Sequence, residues 1–216
     1  MSDNDPILVI VSAPSGSGKT TIVNALMERM SGIDRSISYT TRPPREGEED
    51  GKDYYFISGE EFEERVKNGD LLEWEKNFGH YYGTSRSMVE KALASGRDMI
   101  LSIDVKGARS VKNAYRDSIS VFIMPPSEQE LEQRLRNRRT DKASQVLRRL
   151  REAHTEMRAA DEYDYLIINE DLDKAVKELA DIINNEREAR RGANKRTGEN
   201  GKNSQTGTHR ENGQPL

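Results

Sequence analysis

The apolar run Ile7-Leu8-Val9-Ile10-Val11, followed at once by Ala13-Pro14-Ser15-Gly16-Ser17-Gly18-Lys19-Thr20, constrains this chain more than any other stretch. Five consecutive aliphatic residues without polar alternation describe a strand covered on both faces. The segment from Ala13 to Thr20 approximates G-x-x-x-x-G-K-[ST], with Ala13 where the first glycine usually sits, and it leads into the amphipathic Thr21-Ile22-Val23-Asn24-Ala25-Leu26-Met27. In a strand, glycine-rich loop and helix taken in that order, successive backbone N–H groups and the positive end of a helix dipole converge on one anion. Residues 13–21 are therefore expected to cradle a polyphosphate. Lys19 would act as a point charge on the β- and γ-phosphates, and the Thr20 hydroxyl would hold Mg²⁺. The bland alternative is an ordinary Gly/Ser turn, and the buried strand before it and the helix after it speak against that.

With 216 residues the chain has room for one domain, or one core with small insertions. Its hydrophobic content of 33% is low for that length, which implies that part of it does not pack. The absence of cysteine removes disulfides, thiol nucleophiles and Cys-based zinc sites, and His80, His154 and His209 are too scattered to suggest a metal cluster. The start Met1-Ser2-Asp3-Asn4-Asp5-Pro6 is acidic and polar where a signal peptide is basic, and no apolar run reaches the length of a membrane span. A cytoplasmic, soluble protein without membrane contact is expected. A net charge of −4 gives no reason to expect nucleic acid, and the oligomeric state is left open.

Strand signals recur at residues 98–104, 119–124 and 165–168, separated by helical patterns near 106–116, 128–138, 143–160 and 172–191. This alternation predicts a three-layer α/β/α core around a parallel sheet. Residues 36–87 break the pattern, being aromatic and punctuated by glycine with one helix at 60–68, and read as a small inserted α+β lobe. The core is then 6–35, 88–126 and 161–191, with a helical lid at 127–160. From Gly192 to Leu216 almost nothing can be buried, so a disordered tail is expected.

Within the lobe, Arg42-Pro43-Pro44-Arg45 fixes an extended turn that can hold two guanidinium groups toward one anion, for which phosphate is the natural guest. Tyr54 and Tyr82 are candidate donors to the same group and Glu48 a candidate for orienting an arginine. For the tyrosines, packing in an aromatic lobe is the competing explanation. Farther on, Arg134, Arg136, Arg138, Arg139, Lys142, Arg148, Arg149 and Arg151 share their span with only Asp141 as an opposing acid.

The ordered series Ser38-Tyr39-Thr40-Thr41-Arg42-Pro43-Pro44-Arg45-Glu46-Gly47-Glu48, Gly51-Lys52-Asp53-Tyr54, Glu73-Trp74 and Tyr81-Tyr82-Gly83-Thr84 resembles the guanylate kinase family, and the likeness covers residues 7 to about 191. The resemblance implies a P-loop NTPase core and transfer of the ATP γ-phosphoryl to GMP. It also implies that Arg42, Arg45, Tyr54 and Tyr82 hold the GMP phosphate and that Ser38, Glu73, Thr84 and Asp104 surround guanine. Arg138 and Arg149 correspond to paired lid arginines with Arg134 a third, and Asn169 to a residue beside the ATP adenine. Arg139 stands where the family often has glycine, and Ser102 where it often has an acid. The chemistry is consistent, because a carboxylate such as Glu73 accepts from the adjacent N1–H and N2–H₂ of guanine, whereas adenine offers an acceptor at N1. Two other readings compete with this one. A ribose 1,5-bisphosphate kinase has no use for a base-edge carboxylate, and a phosphopeptide-binding module of the same shape lacks a working P-loop.

Overall fold

The computed structural model describes residues 5–77, 79–137 and 143–203. In chain order its elements are β1 (Leu8–Ser12), α1 (Lys19–Arg29), β2 (Ile33–Arg35), β3 (Tyr39–Thr40), β4 (Tyr55–Phe56), α2 (Gly59–Asn68), β5 (Leu71–Asn77), β6 (His80–Ser85), α3 (Arg86–Ala94), β7 (Asp98–Ser102), α4 (Val105–Ala114), β8 (Ile119–Met124), α5 (Glu128–Arg136), α6 (Ala143–Met157), β9 (Tyr165–Ile168) and α7 (Leu172–Asn203). Two sheets result. The larger is parallel throughout, in the order β2-β7-β1-β8-β9, and the smaller is mixed, in the order β4-β3-β6-β5.

The continuous apolar run of β1 is explained by helices on both faces. Val9 and Val11 pack with Ile22, Val23 and Leu26 of α1 and with Val176, Leu179 and Ile183 of α7. Leu8 and Ile10 point the opposite way, onto Val89 of α3 and Ala108 and Val111 of α4. The core is thus a three-layer α/β/α arrangement of the P-loop NTPase type. Buried Asp98 pins one end of it, accepting from the Ile7 amide at 2.7 Å and from Arg187 of α7 at 2.6 Å.

The second sheet, with α2, forms the lobe. Its aromatics pack on one another: Phe62 stacks on Tyr81 with centroids 5.2 Å apart, and Trp74 meets both rings edge-on. Helix starts follow side-chain capping, with Ser58, Ser85, Asp104 and Ser127 each accepting a backbone N–H in the first turn. Two differences from the sequence-based expectation stand out. A fifth core strand, β2, is only Ile-Asp-Arg and carries no periodicity to read. The backbone of α7 continues to Asn203, past the boundary expected at 192. Extending an existing helix needs no new nucleus. Residues 204–216 lie outside the described residues.

Candidate active site

Residues 13–21 leave the carboxyl end of β1 as a tight loop. Gly16 and Gly18 have φ of +96° and +90°, and the Ser17 amide donates to the Pro14 carbonyl at 3.1 Å. Both glycines are required twice over. A Cβ on Gly18 would collide with the Asn169 amide, and one on Gly16 would sit 3.0 Å from Leu135 Cδ2. Asn169 is buried and donates to the Ser17 carbonyl at 2.7 Å. Expected beside an adenine, its side chain supports the phosphate loop from beneath. Lys19 donates to the Ile103 carbonyl at 2.6 Å. Burial lowers its pKa, while the carboxylates of Asp104, Glu156 and Glu73 work in the opposite direction. Thr20, the first exposed residue of the helix, lines the cleft beside it.

The opposite wall carries the arginine turn. Arg42 is buried, and one of its nitrogens donates to both Glu48 oxygens at 2.8 and 2.9 Å while the other donates to the Pro43 carbonyl at 2.7 Å. Its guanidinium also lies over the rings of Tyr54 and Phe56, at 5.5 and 5.8 Å from their centroids. Glu48 accepts the Arg45 amide at 2.7 Å as well, so one carboxylate fixes both ends of the turn and the Arg45 side chain lines the cleft. Burial disfavours the charge on Arg42, but Glu48 more than offsets this and holds the pKa above its ordinary range. Tyr54 meets Tyr82 edge-on at 6.0 Å, and burial raises the Tyr54 phenol pKa. Packing and donation to an anion are therefore compatible roles for these tyrosines.

At the far end, Glu73 of β5 is 7% exposed. Thr84, buried on the paired strand, donates to Glu73 Oε1 at 2.5 Å. Burial drives the Glu73 pKa up to about 7, Asp104 and Glu75 add to the rise, and the Thr84 hydrogen bond and Lys19 oppose it. Glu73 Oε2 lies over Gly107, where a Cβ would stand only 2.5 Å from it. Gly107→Ala is therefore expected to displace this carboxylate and raise the KM for a guanine nucleotide about tenfold, with little change in the KM for ATP. Steady-state kinetics varying each substrate check this. Asp104 caps α4, its Oδ1 accepting the Gly107 amide at 2.9 Å, while its Oδ2 accepts from Asn77 at 2.7 Å.

A single cleft joins these groups: the loop residues 13–16 and 18–21, Ser38, Arg42, Arg45, Tyr54, Glu73, Tyr82, Asp104 and Arg149 are all on its walls. Arg134 is not brought to it. Its guanidinium bonds Glu130 at 2.9 Å and the Asn169 carbonyl at 3.4 Å. Arg138, expected as its catalytic neighbour, falls outside the described residues together with Arg139. Sequence reasoning missed Glu75, Asn77, Gly107 and Glu156. The first two were legible in the alternation of β5, which sends residues 73, 75 and 77 to one side. Glu156 lies two turns beyond Arg149 on α6 and shares the cleft wall with it. Burial raises its pKa to about 7, and the Ser15 amide and Lys19 oppose that rise.

Comparison with known proteins agrees with this geometry. The family model for guanylate kinase matches residues 6–186. The guanylate kinase of Symbiobacterium thermophilum is 50% identical over 189 residues, covering 87% of this chain and 90% of that protein. That of the Wolbachia of Brugia malayi is 46% identical over 191 residues, covering 88% and 98%. The crystal structure of guanylate kinase from Anaplasma phagocytophilum superimposes with a TM-score of 0.72 at 34% identity, covering 87% of this chain and 88% of that one. A family match across most of the chain, joined to a phosphate-binding loop facing an arginine turn and a buried carboxylate, means that this chain belongs to the guanylate kinase family.

Proposed function

We propose that this chain transfers the γ-phosphoryl group of ATP to GMP, releasing ADP and GDP, by in-line displacement in the cleft between loop and lobe. The observation that supports the proposal is the shared cleft itself, whose walls carry the glycine-rich loop with Lys19, the Arg42 and Arg45 side chains, and the buried Glu73 carboxylate. An oxygen of the GMP phosphate attacks the γ-phosphorus, and the bond to the ADP oxygen breaks on the opposite side. The protein contributes position and charge neutralisation. Arg42 and Arg45, pre-ordered by Glu48, hold the acceptor phosphate with Tyr54 and Tyr82. Lys19 and Arg149, joined by Arg138, stabilise charge on the transferring group. Asn169 serves ATP through the shape of the loop it supports, and Arg134 acts from outside the cleft by bracing α5 against the Asn169 carbonyl.

Ser38, Thr84 and Asp104 complete the guanine pocket around Glu73. Mg²⁺, which would neutralise phosphate charge and hold its geometry, fits the donors present. Thr20 and Ser102 offer hydroxyls to the cleft, the hard oxygen donors that such an ion would accept. Thr20, at the start of the helix beside Lys19, is the residue that would hold it. Among the described residues no helix is long and apolar enough to cross a membrane. On this reading the enzyme acts on free nucleotides in the cytoplasm, and its net charge of −4 gives no reason to expect a nucleic-acid partner. A coupled assay of ADP release tests the proposal, with GMP, AMP, UMP and ribose 1,5-bisphosphate supplied in turn. GMP is expected to be turned over far faster than the rest. Comparable rates with AMP or with the ribose bisphosphate would overturn it, and no turnover with any acceptor would favour a binding module.

A further inference from the structure

Strand β5 sends Glu73, Glu75 and Asn77 to the cleft and keeps Trp74 and Lys76 for the ring of Tyr81 on the other face. Glu73 is placed for the base, and Glu75 lies 3.6 Å from Lys106 of α4. Asn77 donates to Asp104 Oδ2 at 2.7 Å, linking the lobe to the end of the core strand β7. The other oxygen of Asp104 is held by the Gly107 amide, and a carboxylate tethered there alone keeps a broad terminal torsion. The second tether sets the plane of the group.

That plane matters because guanine N2 carries two hydrogens, of which the Glu73 carboxylate accepts one along with N1–H. The other points away from Glu73. The Asp104 carboxylate is the neighbour of Glu73, since both flank Gly107: a Cβ there would be 2.5 Å from Glu73 Oε2 and 3.5 Å from Asp104 Oδ1. Oδ1, with two lone pairs, can serve the Gly107 amide and the amine together, while Asn77 holds Oδ2 and so sets the direction of Oδ1. We propose that Asn77 is a positioning residue for base selection, orienting Asp104 toward the guanine 2-amino group from the lobe side. This rests on GMP being the phosphoryl acceptor.

The test compares GMP with IMP, which lacks the 2-amino group, on the full chain and on the variants Asn77→Ala, Asn77→Asp and Asp104→Asn, the last of which retains a helix cap. Asn77→Ala is expected to raise the KM for GMP roughly five- to twentyfold and to leave IMP efficiency within about twofold, shrinking the GMP-to-IMP ratio. Asn77→Asp, which sets a second carboxylate against the first, should shrink it further. Melting temperatures confirm that each variant is folded. If Asp104→Asn shrinks the ratio and Asn77→Ala does not, the inference fails while the base-reading role of Asp104 stands. If neither changes it, Asp104 does not read the amine and the inference falls with that role. Parallel losses with both nucleotides would reduce Asn77 to a structural tie, and a lower KM for GMP would make the pair a latch that substrate must open. Either result overturns the proposal.

Discussion

Lys19→Ala is expected to lower kcat by on the order of a hundredfold or more, the scale lost when one preorganised donor to a transferring group is removed. The ammonium sits at the base of the loop with Asp104, Glu156 and Glu73 around it, and burial already lowers its pKa. Its charge is therefore tolerated at a cost that binding a polyphosphate relieves. Its hydrogen bond within the protein goes to the Ile103 carbonyl. Losing that bond on substitution should change stability by only about 1 kcal/mol in either direction. Parallel measurement of kcat and melting temperature separates the two effects. A folded variant with near-normal kcat would mean that phosphate is bound elsewhere.

Glu73→Gln is the second large effect, and it has opposite signs for function and stability. With the carboxylate in place, AMP should be rejected by roughly 10⁴-fold, since adenine sets its N1 lone pair against a buried negative charge. The amide keeps one acceptor for guanine and adds a donor that suits adenine. GMP efficiency should fall at least about tenfold and the GMP-to-AMP ratio should shrink. An unchanged ratio would mean that guanine is read by Ser38, Thr84 or Asp104 alone. Stability moves the other way. The Glu73 pKa rises from 4.5 to about 7 on folding, so the native state binds the extra proton between those values and stability falls as pH rises through them. Above pH 7 the ionised, buried group costs on the order of 3 kcal/mol relative to low pH. In the absence of nucleotide the Gln variant should therefore melt higher than the parent at pH 8, with the difference vanishing toward pH 4.5. Saturating GMP, which needs the ionised carboxylate, should reverse that order. By the same linkage the KM of the parent for GMP should rise as pH drops below about 7, and that of the variant should not.

The features legible from residues alone are those encoded by short chain separations. Gly16, Gly18, Lys19 and Thr20 define their loop by spacing, because positive φ and a helix start are local demands. The turn from Arg42 to Glu48 is similar: two prolines set its direction, and an acid six residues on is close enough to bind the first guanidinium. Buried runs such as Val121-Phe122-Ile123 declare a strand between helices without stating its neighbours, because periodicity reports burial and not register.

Tertiary packing decided what separations of many tens of residues bring together. Asn169 lies 152 residues from Ser17, and only the parallel pairing of β8 with β9 carries it beneath the loop. Asp98 reads as the start of a strand, and its role as a buried tie between Ile7 and Arg187 emerges only once β1, β7 and α7 share an edge. Arg134 and Arg149 look alike in a basic stretch, yet Arg149 of α6 lines the cleft while Arg134 of α5 is bonded to Glu130 and the Asn169 carbonyl. Most telling is the row on β5. Its alternation was visible, but Asn77 acquires a partner in Asp104 only because the lobe packs β5 against the start of α4, and no local pattern in either segment specifies that contact.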